Sequence, residues 1–304
     1  MTTATRPSAT VLSAVISVIM ACSANDPIGH VQSSLPGHFD VPDPAGNKDV
    51  HTPYHPKCLT SPCASEPSDP YFCYLVKITG PFAEGSDAHL YVDNDGYWAG
   101  KVTNSESIRI GCSPFADLTN AGNATAEGLT VFYSVSNTGV ANGFGTSITI
   151  PGTPLRNPDF CPLSGVAGHF LNDNCDSYPS ARSWSNGYPN NDAYQLVAQG
   201  SHCYDWAGSS TSTIVTASAA CETKWSGLAH VKLAANNVAS TTTGAALIPT
   251  SNGVCWISKV DRRMGNAGAG NAETVEIYDN NGTWTIRSTT NGSGNAACIL
   301  YNQQ

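Results

Sequence analysis

The residues with chemistry in them are mostly cysteines. The chain has 11, and setting Cys22 apart leaves ten, the even number expected when thiols are oxidised to disulfides in an exported protein. Zinc is the competing use of cysteine, but no Cys-x2-Cys pair occurs anywhere in the chain, so no metal is assigned. His51 and His55 are four apart near Cys58, and Pro53 between them breaks the helix that would put both on one face. They read as solvated histidines. Asp93-Asn94-Asp95 and Asp279-Asn280-Asn281-Gly282 offer oxygens that suit calcium, at a spacing wrong for an EF-hand. Hairpin turns explain both stretches without an ion. Tyr97, Trp98 and Trp284 are the candidate binding residues, because exposed aromatics stack on sugar rings; the preferred reading of the tryptophans is that they fill each module's small core against its disulfide. Asp87, Asp173 and Glu273 are scattered carboxylates that a hydrolase uses without any local motif. A serine-hydrolase elbow, a His-Glu-x-x-His helix and a phosphate-binding glycine loop are all missing. No catalytic residue, metal or cofactor is assigned.

The elements that must hold these residues repeat. Three stretches begin alike: CYLVKITGPF from Cys73, CPLSGVAGHF from Cys161 and CWISKVDRRM from Cys255. Counting each cysteine as zero, position 2 is Leu75, Leu163 and Ile257, and position 5 is Ile78, Val166 and Val260. Position 9 is Phe82, Phe170 and Met264, while position 7 is Gly80, Gly168 and Arg262. A second cysteine follows each, Cys112, Cys203 and Cys298, with glycine 16 residues before it at Gly96, Gly187 and Gly282. Self-similarity at a fixed spacing signals a modular array. It predicts three bridges, Cys73–Cys112, Cys161–Cys203 and Cys255–Cys298. Cys58 and Cys63 remain as a short-range pair, and Cys175 and Cys221 pair by elimination.

Composition makes the modules all-β. Only 12% of residues are charged, fewer than long helices use, and short apolar runs are broken by turn residues. Asp95-Gly96, Asn186-Gly187 and Asn281-Gly282 suit tight hairpins, whose turn residues need positive φ. Trp98 and Trp284 follow the turn glycine in the outer copies, and the middle copy has Gly187-Tyr188-Pro189 instead.

The start of the chain reads as an export signal. An apolar run from Thr10 to Ala21 is too short to span a bilayer and ends in Ile19-Met20-Ala21-Cys22, which resembles a bacterial lipobox. That makes Cys22 an acylated N-terminus and lipid the membrane anchor; ordinary cleavage after Ala24 is the alternative, giving a secreted protein. The division expected is signal peptide 1–21, irregular Pro-rich tether 22–72, then sandwich-like β-modules at 73–160, 161–254 and 255–304. A degenerate module hidden in the tether is the minority reading.

The copies resemble a Cys-bracketed β-repeat of exported and lipoprotein-type proteins from Gram-negative, especially myxobacterial, genomes, with the pattern Cys-x-Leu-x2-Val-x-Gly-x-Phe, Gly-x-Trp and a closing cysteine. Cys73 to Cys112 follows it closely, Cys255 to Cys298 departs at Arg262 and Met264, and Cys161 to Cys203 lacks the Trp. The resemblance implies location and architecture and no activity. The net charge of −9 without a basic cluster disfavours nucleic acid as partner. The function expected is non-enzymatic adhesion or binding at the cell surface, with carbohydrate or cell envelope as ligand; an exported hydrolase working through scattered carboxylates is the alternative.

Overall fold

The computed structural model describes residues 38–41, 48–57, 59, 69–82, 85–104, 106–115, 130–137, 146–150, 160–170, 180–185, 194–200, 202–204, 210–212, 214–222, 233–262, 273–290 and 292–301. Cys22, the signal segment, Cys58, Cys63, Asp173 and Cys175 lie outside them, and of Cys203 only the backbone is described. Every element among them is a strand, and all strand pairs between elements are antiparallel.

Strands fall into three sets of like order. The first set is β1 (His38–Val41), β2 (Lys48–His51), β3 (Tyr71–Gly80), β4 (Asp87–Val92), β5 (Trp98–Val102) and β6 (Ser107–Pro114). The second is β7 (Thr130–Ser136), β8 (Thr146–Thr149), β9 (Leu163–Gly168), β10 (Ser180–Ser185), β11 (Tyr194–Gln199) and β14 (Val215–Glu222), with an inserted hairpin of β12 (His202–Tyr204) and β13 (Ser210–Ser212). The third is β15 (Leu233–Ala239), β16 (Ala245–Pro249), β17 (Gly253–Arg262), β18 (Glu273–Asp279), β19 (Thr283–Ser288) and β20 (Gly292–Leu300). In each set the opening strand pairs with the closing strand: β3 with β6, β9 with β14, β17 with β20. The inner hairpin does not stay with them. It crosses into the next set, so β4–β5 joins β9, β10–β11 joins β17, and β18–β19 returns to β3. Three six-stranded sheets result, in the orders β1-β6-β3-β18-β19-β16, β7-β14-β9-β4-β5-β2 and β15-β20-β17-β10-β11-β8. The exchange is cyclic, and the buried apolar side chains form one continuous cluster.

The core explains the odd spacing of the repeat. The opening strands β3, β9 and β17 pack against one another. Alternation puts residues two apart on one face, so positions 2 and 5 should face opposite ways. A register shift next to position 3 in all three sets, at Leu75/Lys77, Ile257/Lys259 and opposite Ser218/Ala219, restores them to the same side. Leu75, Leu163, Ile257, Ile78, Val166 and Val260 are accordingly all buried. Each such side chain contributes roughly 1.5–3 kcal/mol on leaving water. Aromatics close both ends of this column. Phe72, Phe160 and Trp256 meet beside the cysteines, with ring centroids 5.1 and 5.8 Å apart, and Phe82 meets Phe170 at 5.7 Å past position 7. Gly168 at that position has φ +98°, and a Cβ there would sit 2.1 Å from the Ile214 carbonyl oxygen, so a side chain is excluded.

Two expectations are corrected. The segment read as an irregular tether carries β1 and β2, which extend the sheets beside β6 and β5. The equivalent pairs are β7 and β8 beside β14 and β11, and β15 and β16 beside β20 and β19. Each extension therefore precedes its Cys-loop. The middle bridge also differs. Cys73–Cys112 and Cys255–Cys298 are present, but Cys161 is bonded to Cys221 and not to Cys203. The β9–β14 register, with Leu163 opposite Ala219, carries on to place Cys161 opposite Cys221 at a Cα separation of 4.0 Å. Cys203 sits in the inserted hairpin, opposite Thr211. The pairing of Cys175 with Cys221 falls with it.

Candidate functional site

Trp98 and Trp284 lie in the core, the reading preferred for them over sugar stacking. Trp98 is 0% and Trp284 8% exposed. Their indole N–H groups donate to equivalent carbonyls, Trp98 to Tyr71 O at 2.9 Å and Trp284 to Gly253 O at 2.8 Å, each two residues before an opening cysteine. A buried indole must place its N–H on an acceptor, and the strand start beside it supplies one. The middle unit has its counterpart after all. The β10–β11 register pairs Ser185 with Tyr194, as β4–β5 pairs Val92 with Trp98 and β18–β19 pairs Asp279 with Trp284. Tyr194 is buried in that place. Counting from Cys203 hides it, because Cys203 is not the structural closing cysteine. Tyr97 is half-buried, its ring 3.9 Å from the His55 ring.

The histidines and turn carboxylates are committed to the fold. His51 Nδ1 bonds Asp93 Oδ2 at 2.5 Å, and His55 Nδ1 donates to the Gly96 carbonyl at 2.9 Å. Asp93 Oδ1 accepts the Asp95 and Tyr97 backbone N–H groups at 3.0 and 2.8 Å. Burial raises the Asp93 carboxyl, but the donors from Tyr97, His51 and Asp95 outweigh it and hold it below the usual carboxylate range. Asp279 ties down the third unit's hairpin, accepting the Gly282 backbone N–H at 2.7 Å. Among the described residues no three His, Cys, Asp or Glu side chains converge as a metal site. Of the scattered carboxylates, Asp87 on β4 hydrogen-bonds His89, and Glu273 on β18 accepts from Thr289.

Among the described residues, the outer face of the first sheet carries an extended polar row. Register alone builds a row across five strands: Asp40 opposite Arg109, Arg109 opposite Lys77, Lys77 opposite Glu276, and Glu276 opposite Arg287. Directly opposed residues share a face and interact. Asp40 takes the Arg109 guanidinium through two bonds of 2.6 and 3.2 Å, and Glu276 takes Arg287, whose guanidinium also lies over the Tyr278 ring. Lys77 between them has no carboxylate partner among the described residues. Beside it opens a groove of about 450 Å³ lined by Lys77, Glu276, Arg287 and the hydroxyls of Thr242, Thr274 and Thr289. Thr274 is held in turn by Thr79, at 2.9 Å. No motif announces this site; Lys77 is visible in the sequence only as a charge within an apolar opening strand.

His38 lies beneath the same sheet. It is 5% exposed, and its ring stacks on Trp284 at 5.9 Å, joining the first strand of the first unit to the third unit. Burial, helped by the Arg109 charge and opposed by Asp40, lowers its pKa to about 4.

Comparison with protein-family models, with curated proteins and with solved structures finds no match for this chain.

Proposed function

We propose that the chain is an exported, non-catalytic binding protein of the cell surface, anchored by lipid at Cys22, whose ligand is an extracellular saccharide. The observation that carries the reading is the groove on the first sheet: threonine hydroxyls around a guanidinium–carboxylate pair and an ammonium. Such groups hydrogen-bond polyols, and Glu276 is held at its Oε1 by Arg287. The three disulfides among the described residues suit an oxidising, extracellular setting. With both tryptophans in the core, binding rests on polar groups and not on stacking. A hydrolase would need two carboxyls about 5–9.5 Å apart across a glycosidic bond, whereas Asp87 and Glu273 belong to different sheets and each bonds a neighbour.

The test is a glycan array run beside a broad hydrolase screen on the purified mature protein. Retention of an intact glycan is expected; release of new reducing ends from a bound polymer would make the protein an enzyme. Metabolic labelling with a fatty-acid analogue should mark the wild type and not Cys22→Ser.

A further inference from the structure

We infer that the groove on the first sheet recognises the anionic group, carboxylate or sulfate, of an acidic polysaccharide, with Lys77 as its counter-ion. The inference rests on the saccharide-binding reading above and narrows its ligand class.

The argument is a local charge count. The cross-strand row holds Arg109, Lys77 and Arg287 against Asp40 and Glu276. Two ion pairs consume all but one of these charges. The ammonium left over is Lys77, half-buried, directly opposite another cation, Arg109, on one side and the Arg287-bound Glu276 on the other, with no ion pair among the described residues. A half-buried cation beside a like charge gains more from an incoming anion than a solvated surface lysine does. This excess stands on a chain of net charge −9, so it is a local exception and not part of a general attraction for anions. The threonine hydroxyls of the groove rim would meet the sugar hydroxyls around the charged group.

The other two sheets provide an internal comparison. The place of Lys77 is taken by Gly165 in the second sheet and by Lys259 in the third, where Asp261 neutralises it. Three equivalent positions therefore carry no charge, a paired charge and one unpaired among the described residues. At Gly165 a Cβ would lie 2.6 Å from the His89 Cβ, so the second sheet has no room for a side chain in this place.

The experiment measures binding of the mature protein to immobilised polyuronate, dextran sulfate and neutral dextran, at low and high salt. Binding to at least one polyanion, weakened by salt, is expected; the two polyanions distinguish carboxylate from sulfate recognition. Lys77→Gln should weaken it roughly ten- to a hundredfold, the scale of one charge-assisted hydrogen bond. Lys77→Arg should retain it. Lys101→Gln, the same loss of charge on the second sheet, should leave it unchanged. If Lys77→Gln melts like wild type and binds equally well, or if neutral dextran competes equally, the inference is wrong while saccharide binding stands. If the array and all three polymers show nothing bound, the proposed function fails with it.

Discussion

Replacing Trp98 by alanine tests the cyclic exchange of hairpins more directly than any other single change. The side chain is fully buried, and its indole N–H satisfies the Tyr71 carbonyl at the mouth of the opening strand. Truncation removes the largest kind of core side chain and strands that acceptor. The expected cost is roughly 3–5 kcal/mol. Trp98→Phe keeps most of the ring and loses the hydrogen bond, at roughly 1–3 kcal/mol. The location of the damage matters as much as its size. Trp98 begins β5; β4–β5 completes the second unit's sheet, and β3 accepts the third unit's hairpin. No unit is able to unfold without exposing the sheet edges of its neighbours. Denaturant unfolding with disulfides intact, followed by far-UV circular dichroism and by tryptophan fluorescence, should give one coincident transition for wild type and variant. The variant midpoint should fall with the slope unchanged. A split transition, with part of the signal still melting at the wild-type midpoint, would mean that the units are independent modules and would refute the reasoning. A midpoint equal to wild type would return Trp98 to the surface as a binding residue.

Non-reducing peptide mapping should join Cys161 to Cys221; a Cys161–Cys203 peptide would show that the simple repeat, and not strand register, governs pairing. His38 supplies a pH dependence. Its folded pKa of about 4 lies below the unfolded value of 6.5, so the unfolded chain takes up the proton first. Its stabilisation is complete above about pH 6.5 and falls by about 3 kcal/mol as pH drops to about 4. A urea series over that window should show the slope in wild type and its loss in His38→Phe; equal slopes would refute it. Ser164 and Ser258 occupy the bulge position that holds Val76 in the first unit, are buried, and leave their hydroxyls without partners among the described residues. Ser258→Val should stabilise by about 1 kcal/mol, read as a raised denaturation midpoint; a lowered one would mean that the third unit has no room for the two methyl groups.

Much of the fold was legible in the residues. Apolar positions at 2, 5 and 9 after each cysteine, Asp-Gly and Asn-Gly turns and low charge point to strands and hairpins, and these are local properties of the chain. The even cysteine count and two of the bridges follow from spacing, because those hairpins have similar lengths in the outer units. The middle unit misled through an insertion: the β12–β13 hairpin supplies a cysteine, Cys203, at the expected count, although Cys221 holds the structural place of the closing cysteine. Tyr194 went unnoticed for the same reason.

What the sequence by itself determined is the inventory: strands, turns, oxidised cysteines and the apolar side of each opening strand. Only the tertiary structure decided which strands are neighbours. Hydrophobic periodicity says which face of a strand is buried, and nothing in it names the strand alongside. The row from Asp40 to Arg287 draws its members from five strands spread over most of the chain. Among the described residues Lys77 is left without an ion pair because register sets it between Arg109 and Glu276, whose partners are Asp40 and Arg287. A charge is surplus only relative to its neighbours, and those neighbours are chosen by long-range strand pairing.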